Sequence, residues 1–361
     1  MKKILTIVGA RPQFIKAAAI SHVIRDKYAS EVHEDILHTG QHYDDAMSGQ
    51  FFTELDIPLP KYNLGVGSGS HGKQTGLMMS GIEEILLAEP YDGMLVYGDT
   101  NSTLAGALAA AKLHIPVYHV EAGLRSFNRN MPEEINRVVA DHVSTLLFAP
   151  TQTAVQNLRN EGFKENDVIF SGDVMYDNVL HYSSIALQKT KPLFDTYILV
   201  TLHRDFNTDH PERLKHILSA LNTISERFDT EIVFPIHPRT RKCIDSMAFV
   251  PLAKRIHIVE PLSYLETLAA LQRCSLVLTD SGGLQKEANF CRKGCVVLRP
   301  ETEWVELVEE GAAILADADE KKIIDAAGRL LGQTPPTSPH FGTGVAADTI
   351  IKAILQRKTA K

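Results

Sequence analysis

Cysteine is scarce in this chain: Cys243, Cys274, Cys291 and Cys295 are the full set, and no CxxC pair occurs among them. That excludes a disulfide-stapled secreted module, and the expectation is reduced core thiols in a cytoplasmic protein. No apolar run approaches the roughly 20 residues of a membrane-spanning helix, so no membrane contact is expected. Cationic excess is missing as well. Against 44 Asp and Glu stand 37 Lys and Arg, a net charge of −7, which argues against a nucleic-acid partner. The opening MKKILTIVG imitates a short signal peptide, but Arg11 interrupts its apolar stretch and no small-residue cleavage site follows. It reads instead as a first buried strand. The turn after it, GARPQFIK (9–16), lacks the Gly-x-Gly-x-x-Gly of a dinucleotide site.

What is present is an ordinary globular composition, 44% hydrophobic and 22% charged over 361 residues, long enough for two domains. Short runs rich in Val, Ile and Leu alternate with segments of helical period. The strand candidates are 4–8, 34–39, 93–97, 117–120, 146–149 and 168–171, then 197–201, 232–236, 256–259, 276–279, 296–298 and 313–315. Uniformly apolar strands separated by helices indicate parallel sheets covered on both faces. The expectation is an α/β fold of two doubly wound Rossmann-like domains, one from 1–171 plus 346–361 and one from 172–345. The polar stretch 183–195 is expected as their linker, and 346–356 as an amphipathic packing helix. Ligands of such sheets bind beyond the carboxyl ends of the strands, so the site is expected in a cleft between two facing domains.

The unusual polar residues gather at those strand ends. In LTDSGGLQKEA (278–288) a strand passes through Ser281-Gly282-Gly283 into a helix, which makes a seat for phosphate from free backbone N–H groups. Glu287 lies further along that helix and suits a ribose; a bare strand–helix turn is the alternative. Arg11 and Lys16 flank Pro12 at another helix start and suit an anion, or a solvated basic helix end. Asp99 in VYGDTNST is either a helix cap or a reacting carboxylate. His119, Glu121 and Arg125 cluster after the next strand, and Glu133 and Arg137 share a helix face at i, i+4 spacing. Three carboxylates (Asp99, Glu121, Glu133) at one sheet edge would raise at least one pKa, as acid/base chemistry requires. His203, Arg204 and His237 end strands of the second half. No third ligand accompanies the histidines at metal spacing, so no metal is expected and phosphate or sugar contacts fit better.

These ordered motifs, together with HTGQH (38–42), resemble essentially end to end those of the non-hydrolysing UDP-N-acetylglucosamine 2-epimerases. Hydrolysing relatives usually carry Glu-Tyr-Gly where this chain has Gln13-Phe14-Ile15. The resemblance implies a glycosyltransferase-B type fold, a homodimer, a UDP-sugar as the ligand, and no cofactor or metal. It implies inversion of carbon 2 of a UDP-2-acetamido sugar: UDP is eliminated to a 2-acetamidoglucal and added back. By motif, Asp99, Glu121 and Glu133 match the acid/base carboxylates, with His203 beside them. Arg11, Lys16, Arg137 and His203 match groups near the diphosphate, Ser281, Gly282 and Gly283 its backbone seat, and Glu287 the ribose ligand. Gln41, His42 and Gln74, with Lys73 where arginine is common, match the place where some bacterial members bind a second UDP-sugar, and His237 is grouped with them.

One departure stands out. Where the family usually carries Thr-Glu-Arg-Pro-Glu, this chain has Thr302-Glu303-Trp304-Val305-Glu306. An indole replaces an always-charged fork, which is expected to change sugar or diphosphate contacts. The combination resembles the subgroup that epimerises UDP-2,3-diacetamido-2,3-dideoxy-glucuronate to the manno form for surface polysaccharide, with Arg125 and Arg129 expected to serve the substrate carboxylate. Plain UDP-N-acetylglucosamine is the alternative substrate. A UDP-sugar glycosyltransferase and a non-enzymatic UDP-sugar sensor are the alternative functions.

Overall fold

β1 (Lys2–Val8) has five consecutive buried residues, the mark of a strand covered on both faces. The computed structural model describes residues 1–41, 51–192, 194–236, 238–246 and 252–357. The chain divides into two compact units, residues 1–178 with 339–361, and residues 179–338. The expected divisions lay at 171/172 and 345/346.

The first unit is built on a seven-stranded parallel sheet of order β3-β2-β1-β4-β5-β6-β7. Its remaining strands are β2 (Val32–His38), β3 (Tyr62–Asn63), β4 (Gly93–Tyr97), β5 (Val117–Val120), β6 (Leu146–Ala149) and β7 (Val168–Phe170). β3 was not anticipated. β1 lies between β2 and β4, with Ile4 opposite Glu34 on one side and Gly93 on the other. The strand order reverses here, so the ends of β1 and β4 open a crevice of the kind that takes ligands. Helices α1 (Arg11–Val23), α2 (His71–Ala88), α3 (Asn101–Lys112), α4 (Pro132–Val143) and α5 (Gln152–Asn160) accompany the sheet. α3 lies close against it because Gly106 has no side chain: a Cβ there would stand 3.1 Å from Ile7 and 3.2 Å from the Met94 sulfur.

The chain leaves this unit through α6 (Val174–Lys189). Half of the expected linker is therefore helix. Met175, Val179, Tyr182 and Ala186 are all buried, at the spacing of one helical face. That apolar stripe outweighs the Ser, Lys and Thr content that made the stretch look like a linker.

The second unit repeats the plan with six parallel strands in the order β10-β9-β8-β11-β12-β13. They are β8 (Tyr197–Thr201), β9 (Glu231–Pro235), β10 (Ile256–Val259), β11 (Leu276–Thr279), β12 (Cys295–Val297) and β13 (Ala313–Leu315). Its reversal falls between β8 and β11. α7 (Asp205–Thr208), α8 (Pro211–Arg227), α9 (Pro238–Ser246), α10 (Tyr264–Arg273), α11 (Gly282–Phe290), α12 (Val305–Glu309) and α13 (Glu320–Leu330) complete it. The final helix, α14 (Ala346–Gln356), belongs to the first unit and buries Ile350, Ile351 and Ile354. Lys2 donates to the carbonyls of Ile354 and Arg357 at its end.

All four cysteines are free thiols, and burial pushes Cys274 up to about 12. Among the described residues no helix is long and apolar enough to cross a membrane. The fold is thus the expected α/β pair of Rossmann-like units.

Candidate active site

In the first unit, α1 has Pro12 in its first turn but its N-cap, Ala10, has no side-chain acceptor. Gln13 supplies the missing contacts. Its Oε1 accepts from Gly9 N and Ala10 N at 2.9 and 3.1 Å, while its Nε2 donates to Tyr97 O and Thr103 Oγ1 at 2.9 and 3.0 Å. One buried amide thus joins the ends of β1 and β4 to the start of α3. The sequence held a signal, a Gln at the third helical position as in a capping box.

This turn presents Arg11, whose guanidinium packs over Phe51, and Lys16, which pairs with the Glu121 carboxylate. Gly98, with a φ of +64°, runs beneath that pair; a Cβ there would stand 3.1 Å from Lys16 Nζ. Thr100 is the N-cap of α3, its Oγ1 accepting from Thr103 N. Asp99 is therefore not the cap, and its carboxylate instead meets Arg137 from α4. The Asp99 carbonyl accepts from Asn136 Nδ2 at 2.9 Å.

Glu121 follows β5 and has a φ of +71°, a left-handed backbone that non-glycine residues rarely adopt. α4 supplies Glu133, half-buried at the first turn. Its neighbour Glu134, 3% exposed, closes the loop before the helix. It accepts from Ser126 N and Phe127 N, each at 2.9 Å, and from Arg137 at 3.1 Å. The fold thus sets Asp99 and Glu121 just beyond the ends of the adjacent strands β4 and β5, with Lys16 on Glu121 and Arg137 on Asp99, and carries Glu133 on the first turn of α4. Asp99 and Glu121 thus each have a neighbouring cation.

Arg125 corrects an expectation. Its side chain is 1% exposed and bonds Asp141 and Glu161 at 2.7 and 2.6 Å, so it presents no face to a substrate carboxylate. Arg129 is exposed. Gln41 accepts from the backbone and hydroxyl of Ser102, and buried Gln74 accepts from Asn101 Nδ2 at 2.8 Å. Asn136 donates to Asn101 as well as to Asp99, so an amide chain runs from α2 to the Asp99 peptide. Lys73 is exposed on α2. His42 and His237 lie outside the described residues.

In the second unit, fully buried Asp280 joins the two central strand ends. It accepts from His203 N, Arg204 N and Asn207 Nδ2 at 3.0–3.2 Å, and its Oδ1 lies 3.2 Å from Nδ1 of the half-exposed His203 ring. That contact orients the imidazole, as a carboxylate does for histidine elsewhere. Ser281 caps α11, leaving Gly282 and Gly283 at the helix start. Glu287 is buried one turn on. A Cβ at Gly282 would stand 2.5 Å from Glu303 Oε1, so a side chain there would have to displace the Glu303 carboxylate. Trp304 is 2% exposed: its indole N–H donates to Gly282 O at 2.9 Å and its ring lies 4.1 Å from Lys286 Nζ. It works from behind the seat.

The family model for UDP-N-acetylglucosamine 2-epimerase matches residues 26–355. The UDP-2,3-diacetamido-2,3-dideoxy-D-glucuronate 2-epimerase of Pseudomonas aeruginosa is 51% identical, covering 96% of this chain and 98% of its own. The UDP-N-acetylglucosamine 2-epimerase of Methanocaldococcus jannaschii is 44% identical over 99% of this chain and all of its own. A crystal structure of that protein with UDP-GlcNAc and UDP superposes with a TM-score of 0.89, covering 98% of this chain and 99% of that one. With its two doubly wound sheets and its carboxylate-lined strand ends, the chain is an isomerase of the UDP-N-acetylglucosamine 2-epimerase family.

Proposed function

We propose that the chain inverts carbon 2 of a UDP-2-acetamido sugar by eliminating UDP and adding it back. The observation that carries this is the pairing of Asp99 and Glu121 with Arg137 and Lys16 at the switch point of the first sheet. A carbon 2 proton is weakly acidic, so its removal must be coupled to departure of a stabilised leaving group. A carboxylate among Asp99, Glu121 and Glu133 takes that proton as the C1–O bond breaks, and the bonding pair leaves with UDP. The sugar is then a 2-acetamidoglucal. In return, a phosphate oxygen of UDP rebonds to C1 and a proton is delivered to the other face of C2. The Ser281–Gly283 seat and His203 hold UDP meanwhile, and Glu287 binds its ribose.

The favoured substrate is UDP-2,3-diacetamido-2,3-dideoxy-glucuronate, supported by the Pseudomonas relative at 51% identity. Its carboxylate falls to Arg129, since Arg125 is held internally. The second reading is UDP-N-acetylglucosamine, supported by the Methanocaldococcus relative and its UDP-GlcNAc complex. The enzyme acts as a cytoplasmic homodimer that makes precursors of surface polysaccharide.

Incubation with each UDP-sugar in deuterated water, with no acceptor, tests the reaction and the substrate. Deuterium at carbon 2 of both epimers, faster for the diacetamido glucuronate, is the expected result. Exchange confined to UDP-N-acetylglucosamine overturns the substrate, and binding of both without exchange overturns the epimerase in favour of a sensor. Turnover only with an added acceptor identifies a glycosyltransferase.

A further inference from the structure

Glu121 holds a left-handed backbone at the end of β5, a conformation that persists only where its surroundings enforce it. Its own and the following N–H both donate to Phe148 O, at 3.1 and 3.0 Å. The stronger constraint comes from a residue outside the strand. Asp141, on α4, accepts from the ring of His119 at 2.6 Å and from Gly123 N at 3.1 Å. One carboxylate thus grips the chain two residues before Glu121 and two residues after it. At Gly123 φ is +81° and a Cβ would stand 2.4 Å from Ala154 O, so only glycine lets the loop pass this close to α5.

The same carboxylate reaches the second reacting loop. His119 Nε2 contacts Gly98 O at 2.8 Å, the peptide immediately before Asp99. The two ring nitrogens of His119 thus bridge Asp141 on one side and the Gly98 carbonyl on the other. Asp141 and His119 are both 0% exposed, so neither touches substrate. Arg125 completes the cluster, bonding Asp141 on one side and Glu161 on the other.

We propose that Asp141 is a positioning residue: by clamping His119 and Gly123 it holds Glu121 in its left-handed conformation, and through His119 it fixes the peptide that presents Asp99. The kinetic part of this inference rests on the epimerase reading above. The conformational part does not. Asp141→Asn keeps the shape of the side chain but replaces one acceptor oxygen by an N–H donor. That donor faces other donors, from His119 on one side or from Gly123 N and Arg125 on the other, so one arm of the clamp opens.

The test compares Asp141→Asn with Glu161→Gln, which loosens the same cluster at its exposed edge, through Arg125, and leaves the Asp141 contacts to His119 and Gly123 in place. For Asp141→Asn, kcat for carbon 2 deuterium exchange is expected to fall about 100-fold, the scale of losing a positioned acid or base. KM, and the Kd for UDP measured by calorimetry, should stay within about threefold. Glu161→Gln should keep kcat within about threefold. Equal losses in the two variants, or a loss confined to KM, overturn the proposal. A crystal structure of Asp141→Asn should show Glu121 moved out of the left-handed region; retention of positive φ overturns the conformational part even if wild type shows no exchange, which is failure of the epimerase reading alone. If Asp141→Asn does not fold, His119→Gln carries the test. It keeps a donor for Gly98 but withdraws the ring from Asp141, and a kcat within threefold of wild type overturns the clamp.

Discussion

The indole N–H of Trp304 donates to the carbonyl of Gly282, in the first turn of the helix that carries the proposed phosphate seat. Trp304 therefore acts on backbone geometry. Trp304→Phe removes the donor and keeps most of the volume. A lost hydrogen bond of about 1 kcal/mol predicts UDP binding weaker by about fivefold. Calorimetric titration with UDP decides it, and an unchanged Kd sinks the idea.

Asp99→Asn, Glu121→Gln and Glu133→Gln are each expected to lower turnover about 100-fold or more, as the loss of an acid/base group does. UDP itself should still bind, since the proposed seat lies in the second unit. Proton exchange at carbon 2 followed by NMR is the measurement. Wild-type rates in all three variants would refute the assignment.

Asp280→Ala strips a buried acceptor from His203 N, Arg204 N and Asn207. Each orphaned buried donor costs about 1–3 kcal/mol, so a stability loss of at least about 3 kcal/mol is expected. Chemical denaturation followed by circular dichroism measures it. A loss below about 1 kcal/mol would mean that water replaces the carboxylate and that the two loops are not joined through it.

Asp177 predicts a pH dependence. It accepts from Ala346 N and Ala347 N at the start of α14, at 3.1 and 2.8 Å. Burial, with Asp173 nearby, raises it to about 6. The unfolded value is near 4, so the folded chain binds the proton more tightly. The stability this contributes is complete below about pH 4 and is lost as pH rises through 6, a change of about 3 kcal/mol. Asp177→Asn abolishes the titration, so the variant should gain on wild type by about that amount between pH 4 and 7. Parallel stability curves for the two proteins would count against it.

Periodicity and turn composition made most of this fold legible before the structure. Strands such as 93–97 and 276–279 carry uninterrupted apolar runs that need no tertiary information. β3 escaped because two residues, Tyr62 and Asn63, carry no period. The half of the linker that is helix was misread because composition was weighed above the spacing of Val179, Tyr182 and Ala186. Asp99 and Glu121 were visible because an acid directly after a buried strand is conspicuous. Glu134, Asp141 and Asp280 were not singled out. A buried polar residue acquires its meaning from loops that meet it only in the folded chain, and no local pattern separates it from a solvated one.

α4 spaces Glu133, Arg137 and Asp141 four residues apart, so one rod carries Glu133 and meets the loops of Asp99 and Glu121 through Arg137 and Asp141. Errors along such a rod are correlated. A shift of α4 moves all of these side chains at once, and with them the Ser126 and Phe127 peptides that Glu134 holds. The Trp304 contact in the second unit rests on other elements and is free to vary independently.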